Sequence, residues 1–150
     1  MRDDQYLVSV SKALLSYQMV EEALKLCIGV SYEVIAASNP PEVSFRFSHA
    51  SINDAPLGSL VKMFSKVSNN KPLVKELQVK ELGKWRNFFA HNAFAHEFMS
   101  QDSKSSYTQH SVEDVQQVSR HVGELVLKLG EELKTLKNVH AQLQSDHGRI

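Results

Sequence analysis

The residues of this chain that are best suited to chemistry lie together at positions 85–92, with the sequence WRNFFAHN. Aromatic side chains favour burial, whereas Arg, Asn and His need polar partners when they are buried with them. Such a combination is typical of a functional site or of a polar contact across an interface. We therefore take Arg86 and His91 as candidate catalytic residues and Asn87 as a supporting residue.

An arginine with a nearby histidine is suited to metal-free cleavage of RNA. A neutral imidazole can take the proton from a ribose 2′-hydroxyl, and its protonated form can return a proton to the leaving oxygen. A guanidinium can hold the phosphate and offset the charge that grows on it. On a straight helix Arg86 and His91 point about 140° apart. Either the helix bends between them or a second copy of the chain completes the site, whereas Asn87 shares a face with His91 and can orient its ring.

Other catalytic and metal-binding motifs are absent from the sequence. It contains no Ser/His/Asp arrangement, no glycine-rich phosphate loop and no Cys/His metal spacing. We therefore expect no metal and no cofactor. Cys27, as the single cysteine, excludes an internal disulfide and is expected to be a small packing residue. The remaining histidines lack the spacing of metal ligands; they are His49, His96, His110, His121, His140 and His147.

Composition predicts one soluble, cytoplasmic domain over residues 1–150, with a frayed tail at 145–150. Hydrophobic residues make up 42% and charged residues 23%, which is near the globular average. No apolar run approaches the roughly 18 residues of a membrane span, and the N-terminus lacks the apolar core of a signal peptide.

The charge distribution indicates how well the chain is suited to bind nucleic acid. The 17 basic and 17 acidic side chains balance, which argues against a constitutive high-affinity nucleic-acid binder. Residues 62–86, however, contain seven basic and two acidic side chains. This excess leads directly up to Arg86 and is either solvated helix surface or a local attraction for phosphate.

Helical periodicity predicts an all-α fold, specifically an antiparallel four- to five-helix bundle with a long first helix. The helices are expected at 3–37, from Asp54 and Pro56 to about 67, from about Pro72 through the motif, and from a capping Ser111 to about 143. Residues 38–55 are predicted to be a connection anchored by Phe45 and Phe47, and 101–110 a polar loop. Because Phe94 and Phe98 fall out of phase with the preceding apolar residues, we expect a bend or helix end within or just after the motif.

The first helix is apolar on two sides. One stripe consists of Leu7, Val10, Leu14, Tyr17, Leu24, Ile28 and Ile35, and the nearly opposite one of Val8, Leu15, Met19 and Leu26. Such a helix is expected to contact more than one neighbour, and one of these could be another chain. Glu21 lies on the first stripe. It is either exposed locally or faces inward and pairs with a cation, for which Arg86 is the obvious candidate.

The sequence Arg86-Asn87-Phe88-Phe89-Ala90-His91 resembles the signature of the HEPN superfamily, in which Arg, then a polar residue that is often Asn, precedes His by a gap of four to six. The order of the elements along most of the chain is also similar. This resemblance implies a homodimer whose two Arg–His pairs meet in a shared cleft and cleave RNA without metal. Members act as toxins of toxin–antitoxin pairs and in antiviral defence, so a cognate antitoxin or inhibitor protein is a further expected partner.

The resemblance also implies roles for individual residues. Arg86 matches the phosphate-stabilising residue, His91 the acid/base residue and Asn87 the supporting polar residue. Glu21 resembles, more loosely, the acidic residue that some members place beside the cleft. One subgroup carries a Tyr two residues beyond its His, which a partner nucleotidyltransferase modifies. The corresponding residue here is Ala93, which argues against regulation by that route.

Two alternative functions stay open. The chain could be a non-catalytic interaction or dimerisation module, in which Arg86, Asn87 and His91 form a polar contact, or it could bind a nucleotide without cleaving RNA. Some members of the superfamily are inactive dimeric scaffolds. Neutral overall charge favours the non-catalytic hypotheses, whereas the basic residues that precede Arg86 favour RNA.

Overall fold

A computed structural model describes residues 2–93 and 110–147, which form helices and their connections with no strand in these ranges. The prediction of an all-α fold is confirmed. The helices are α1 (Arg2–Ser38), α2 (His49–Asn53), α3 (Leu57–Val67), α4 (Lys71–Leu77), α5 (Lys80–Asn87) and α6 (Val112–His147). A π-helical turn, Phe88–Asn92, continues α5 directly. The expectations for Phe94, Phe98, the loop at 101–109 and the tail at 148–150 lie outside the described residues.

The core is built around one face of α1. Val10, Tyr17, Leu24 and Ile28 recur at helical spacing and are fully buried, as the first apolar stripe predicts. Leu7, which begins that stripe, is instead 39% exposed, so the buried face starts at Val10. α6 contributes the fully buried residues Val115, Val122, Leu125 and Leu129 to the same core.

The two long helices, α1 and α6, run parallel to each other. Cys27 contacts the backbone carbonyl of Leu129, and further along both helices Glu33 lies 3.9 Å from His140. The predicted antiparallel arrangement is therefore wrong for this pair. The position of the π-helical turn explains this direction. The carbonyl of Ala93, directly after that turn, accepts a hydrogen bond from the Tyr6 hydroxyl near the beginning of α1. The connection to α6 therefore starts at that end of α1.

Helix boundaries differ from the predictions at two connections. Residues 38–55 contain the short helix α2, whose first turn is capped by Ser48, and Asp54 ends this helix instead of starting the next one. α3 begins after Pro56 without a side-chain cap. The helix predicted from Pro72 through the motif is two helices, because Val79 takes an extended conformation between α4 and α5.

The last helix starts as predicted and ends later. The backbone N–H of Asp114 donates to the Ser111 hydroxyl at 3.1 Å, which is the expected N-terminal cap. α6 then continues to His147, so positions 145–147, which belong to the predicted tail, are helical in this structure. None of the helices in the described part of the chain combines the length and apolarity that a membrane crossing requires.

Two expected packing roles are confirmed. The rings of Phe45 and Phe47 lie 5.6 Å and 5.3 Å from that of Tyr32, which anchors the connection after α1 to that helix. Cys27 is fully buried between α1 and α6. Burial raises the pKa of its thiol to about 12, with a smaller contribution from the charge of Glu132. The thiol therefore stays neutral and acts as a small packing group.

Candidate functional site

The predicted site residues line a single groove of about 730 Å³ between α1, α3 and α5. Arg86, Asn87 and His91 come from α5 and the π-helical turn, and Glu21 reaches the groove from α1. α3 also lines the groove, in part through Val61. One chain thus brings all four residues to one place.

The π-helical turn explains how Arg86 and His91 share that groove. The backbone N–H of Ala93 donates to the carbonyl of Phe88 at 2.7 Å, a bond that spans five residues instead of four. A π-helical turn contains more residues than an α-helical turn. Successive side chains are therefore rotated about the helix axis by less than the 100° of an α-helix. Arg86 and His91 consequently diverge by less than on a straight helix, so neither side chain needs a second copy of the chain to reach this groove. The sequence predicts a bend or a helix end within or just after the motif; α5 ends at Asn87, inside the motif, and the chain continues as this π-helical turn.

An ion pair fixes the orientation of Arg86. Its Nε donates to Oε1 of Glu21 at 2.6 Å, and both side chains are partly buried, with exposed fractions of 25% and 19%. Glu21 therefore faces inward and pairs with Arg86, the cation expected from the sequence. A charge-assisted bond of this length holds the guanidinium plane firmly. It uses one of the five guanidinium donors, so a phosphate in the groove would be held by the terminal Nη groups.

Tyr17 is a second link between α1 and α5, one turn before Arg86. Its buried hydroxyl donates to the backbone carbonyl of Leu82 at 2.8 Å. Burial raises the pKa of this phenol, and the nearby charge of Arg86 acts in the opposite direction. The hydroxyl therefore remains a protonated donor. The sequence identified Tyr17 only as a core residue, because its hydroxyl partner is a backbone atom 65 positions away.

An aromatic cluster supports the motif from behind. Phe89 is 2% exposed, and its ring lies 5.5 Å from that of Trp85 and 5.9 Å from that of Tyr17. His110 packs on the outer side of this cluster, with its ring 4.3 Å from Trp85 and 4.6 Å from Phe88. The sequence did not reveal this role of His110, since no local spacing relates position 110 to the motif.

His91 and Asn87 are both exposed at the groove. Exposure leaves the imidazole accessible to a substrate and to solvent protons. Both line the groove, although no hydrogen bond joins them in the described part of the chain. The supporting role of Asn87 stays a prediction.

The groove carries more basic than acidic groups. Lys62 and Lys80 line it together with Arg86, against the single carboxylate of Glu21. Both lysines belong to the basic stretch that precedes the motif in the sequence. A phosphate that entered the groove would therefore approach a net positive charge.

We expect the Glu21–Arg86 pair to contribute measurably to stability. Glu21→Ala and Arg86→Ala should each lower the free energy of unfolding by about 1–2 kcal/mol, because each leaves a partly buried charge without its partner. The double variant should lose less free energy of unfolding than the sum of the two single losses, and the difference should be about 1 kcal/mol. Urea denaturation followed by circular dichroism measures these values.

Glu131→Ala is the matched control for this cycle. Its carboxylate is 79% exposed and pairs with Lys134 on the same helix, at 4.0 Å. Removing it should change the free energy of unfolding by less than about 0.5 kcal/mol. Additive effects of Glu21→Ala and Arg86→Ala would contradict the assigned coupling.

Comparisons with known proteins identify no relative: no protein-family model, curated protein or solved structure matches this chain. Within residues 2–93 and 110–147, no three His, Cys, Asp or Glu side chains are grouped so that they could hold a metal ion. The groove and the residues that line it are therefore the features of this chain that bear on its function.

Proposed function

We propose that this chain is a HEPN-like, metal-independent endoribonuclease that acts as a homodimer. The observation that carries this proposal is the presence of Arg86 and His91 in one basic groove, with the guanidinium held by Glu21. A fixed arginine and an exposed histidine are the two groups that phosphate-bound, acid/base cleavage of RNA requires. A toxin of a toxin–antitoxin pair or an antiviral defence effector is the corresponding biological role.

The proposed reaction is an internal transfer at the RNA backbone. Neutral His91 takes the proton from a ribose 2′-hydroxyl, and the resulting oxygen attacks the adjacent phosphorus. The bond from phosphorus to the 5′-oxygen of the next nucleotide breaks as the new bond forms. A protonated imidazole, which a second copy would supply, returns a proton to that 5′-oxygen. The products are a 2′,3′-cyclic phosphate and a free 5′-hydroxyl.

Arg86 acts on the charge of the phosphate. Its terminal Nη groups bind the non-bridging oxygens and stabilise the negative charge that grows on them. Glu21 is a positioning residue, because it holds Nε and so fixes the plane in which the Nη groups lie. Lys62 and Lys80 attract the neighbouring phosphates without taking part in bond breaking.

A homodimer would bring two such Arg–His pairs into one cleft. The groove is open to solvent and His91 is exposed, which leaves room both for a nucleic-acid strand and for a second copy. In this arrangement one histidine serves as the base while the other serves as the acid. An inhibitor protein that covers the groove would block RNA entry.

The decisive experiment incubates purified protein with a fluorescent RNA oligonucleotide in excess EDTA. We expect cleavage, with 2′,3′-cyclic phosphate ends identified by mass spectrometry. The same sequence made as DNA should stay intact, because it lacks the attacking 2′-hydroxyl. Absence of cleavage, or cleavage that occurs only after Mg²⁺ is added, would contradict the proposed function.

One observation favours a non-catalytic alternative. Arg86 pairs with Glu21 of α1, and an arginine paired in this way can serve the packing of α1 against α5 alone. As a helical interaction module, the chain would leave RNA intact under every condition, and Arg86→Ala would change stability or self-association only.

A further inference from the structure

The second apolar stripe of α1 is exposed along its whole length. Val8 is 53% exposed, Leu15 57%, Met19 49% and Leu26 53%. These side chains are large, and they lie on the side of α1 that is turned away from the core. Scattered exposed apolar residues are ordinary, but these four lie on one side of one helix, within about 40° of each other at 100° per residue.

The spacing of this surface is that of a coiled-coil seam. Positions 8, 15, 19 and 26 are separated by seven, four and seven residues, and two charged residues fill the intervening seam positions. These are Lys12 and Glu22, which are both exposed. The seam extends from position 8 to position 26, which is about 27 Å of helix. We call it the α1 seam; it comprises Val8, Lys12, Leu15, Met19, Glu22 and Leu26.

The six residues are arranged symmetrically about position 17. If two copies of α1 pack antiparallel with a twofold axis at this position, Leu15 faces the partner's Met19. Val8 then faces the partner's Leu26. Lys12 faces the partner's Glu22, so that the remaining pair of facing residues, or layer, carries opposite charges. Every layer of the seam is thus matched, apolar with apolar and positive with negative.

Other registers and the parallel orientation do not give this match. In a parallel pair each residue faces its own copy, so that Lys12 meets a lysine and Glu22 meets a carboxylate. An antiparallel register shifted by one heptad places Met19 opposite the partner's Glu22. Charge complementarity therefore selects both the orientation and the register.

We propose that the α1 seam binds a second copy of this chain in antiparallel orientation, centred on position 17. A contact between two helices of this length is at the small end of stable interfaces, so we expect an affinity in the micromolar range. Both copies use the same surface in this twofold contact. Two copies therefore bury the seam of each other, and no further copy can bind to it.

This contact differs from the one that a shared Arg–His cleft would use. At 100° per residue, Glu21 points about 140° away from the centre of the α1 seam. The groove therefore stays open when the seam is occupied. If copies also associate through the groove, the two contacts together produce a tetramer, and otherwise the seam produces a dimer.

Sedimentation velocity of the full chain over a concentration series tests the seam. Met19→Glu places a charge opposite an apolar partner and should weaken the association at least about 100-fold. The mass of the assembly is then expected to halve, from tetramer to dimer or from dimer to monomer. A tetramer that becomes a dimer would show that copies associate through both the groove and the seam. A dimer that becomes a monomer would show that they associate through the seam alone. Leu127→Glu, at a 72% exposed position on α6, is the control and should leave the mass unchanged.

Charge reversal tests the orientation. Lys12→Glu and Glu22→Lys should each weaken the association about tenfold, because each turns two attractive layers into repulsive ones. The combined variant exchanges the charges and should recover the wild-type affinity within about threefold. A monomeric wild-type chain, an assembly insensitive to Met19→Glu, or a double variant without recovery would overturn the proposal.

Discussion

Replacing His91 with alanine is expected to lower the rate of RNA cleavage by about 10²- to 10⁴-fold, since a positioned acid/base group contributes a factor of that size. The loss should appear in kcat more than in KM, because the imidazole acts on protons during bond breaking. Single-turnover cleavage of the RNA oligonucleotide in EDTA measures it. His91 is exposed, so the variant should keep the wild-type free energy of unfolding within about 0.5 kcal/mol.

Arg86→Ala is expected to reduce cleavage by about 10²- to 10³-fold through loss of charge stabilisation at the phosphate. Arg86→Lys keeps the charge but lacks the fork that contacts both Glu21 and a phosphate, so it should recover only part of the activity.

Adjacent residues on α6 provide the controls for both substitutions. Arg120 and His121 are exposed and lie outside the groove, so Arg120→Ala and His121→Ala should cleave RNA at the wild-type rate. If His91→Ala or Arg86→Ala retained full cleavage, the protein would be a ribonuclease, but the roles assigned to these two residues would be excluded. Equal losses in the α6 controls would point instead to general damage.

The largest effect on stability is expected at Phe89. Phe89→Ala should lower the free energy of unfolding by about 3–5 kcal/mol, because it removes a buried ring and leaves a cavity between Trp85 and Tyr17. A loss of this size is a large fraction of the total stability of a domain. Urea denaturation at several protein concentrations separates this effect from any change in self-association.

Phe88 is the matched control for Phe89. It is the preceding residue on the same π-helical turn and is only partly buried, so Phe88→Ala should cost about half as much. Equal costs at the two positions would mean that Phe89 does not anchor the turn as described.

The core face of α1 could be predicted because it depends on local periodicity, and the inward position of Glu21 is one of two alternatives that this periodicity leaves open. Buried residues at steps of three and four identify the face that packs inward, as Val10, Tyr17 and Leu24 show. A carboxylate on that face requires a cation, and the motif contains one. The structure decides for the inward alternative, with Arg86 Nε 2.6 Å from Glu21 Oε1.

Features set by long-range packing could not be predicted. The parallel course of α1 and α6 depends on where Ala93 reaches α1, through a bond to Tyr6 that is 87 positions away in the sequence. The break at Val79 follows no proline or glycine, so the apolar pattern continues through it unchanged. The place of His110 against Trp85 is likewise decided by tertiary contacts.

The aromatic cluster behind the motif makes the protein its own spectroscopic probe. Trp85 is the only tryptophan in the chain, and it directly precedes Arg86. Indole emission from the whole molecule therefore originates within a few ångströms of Phe88, Phe89 and His110. A shift in that emission as RNA fragments, inhibitors or denaturants are added reports on this one region, with no label attached.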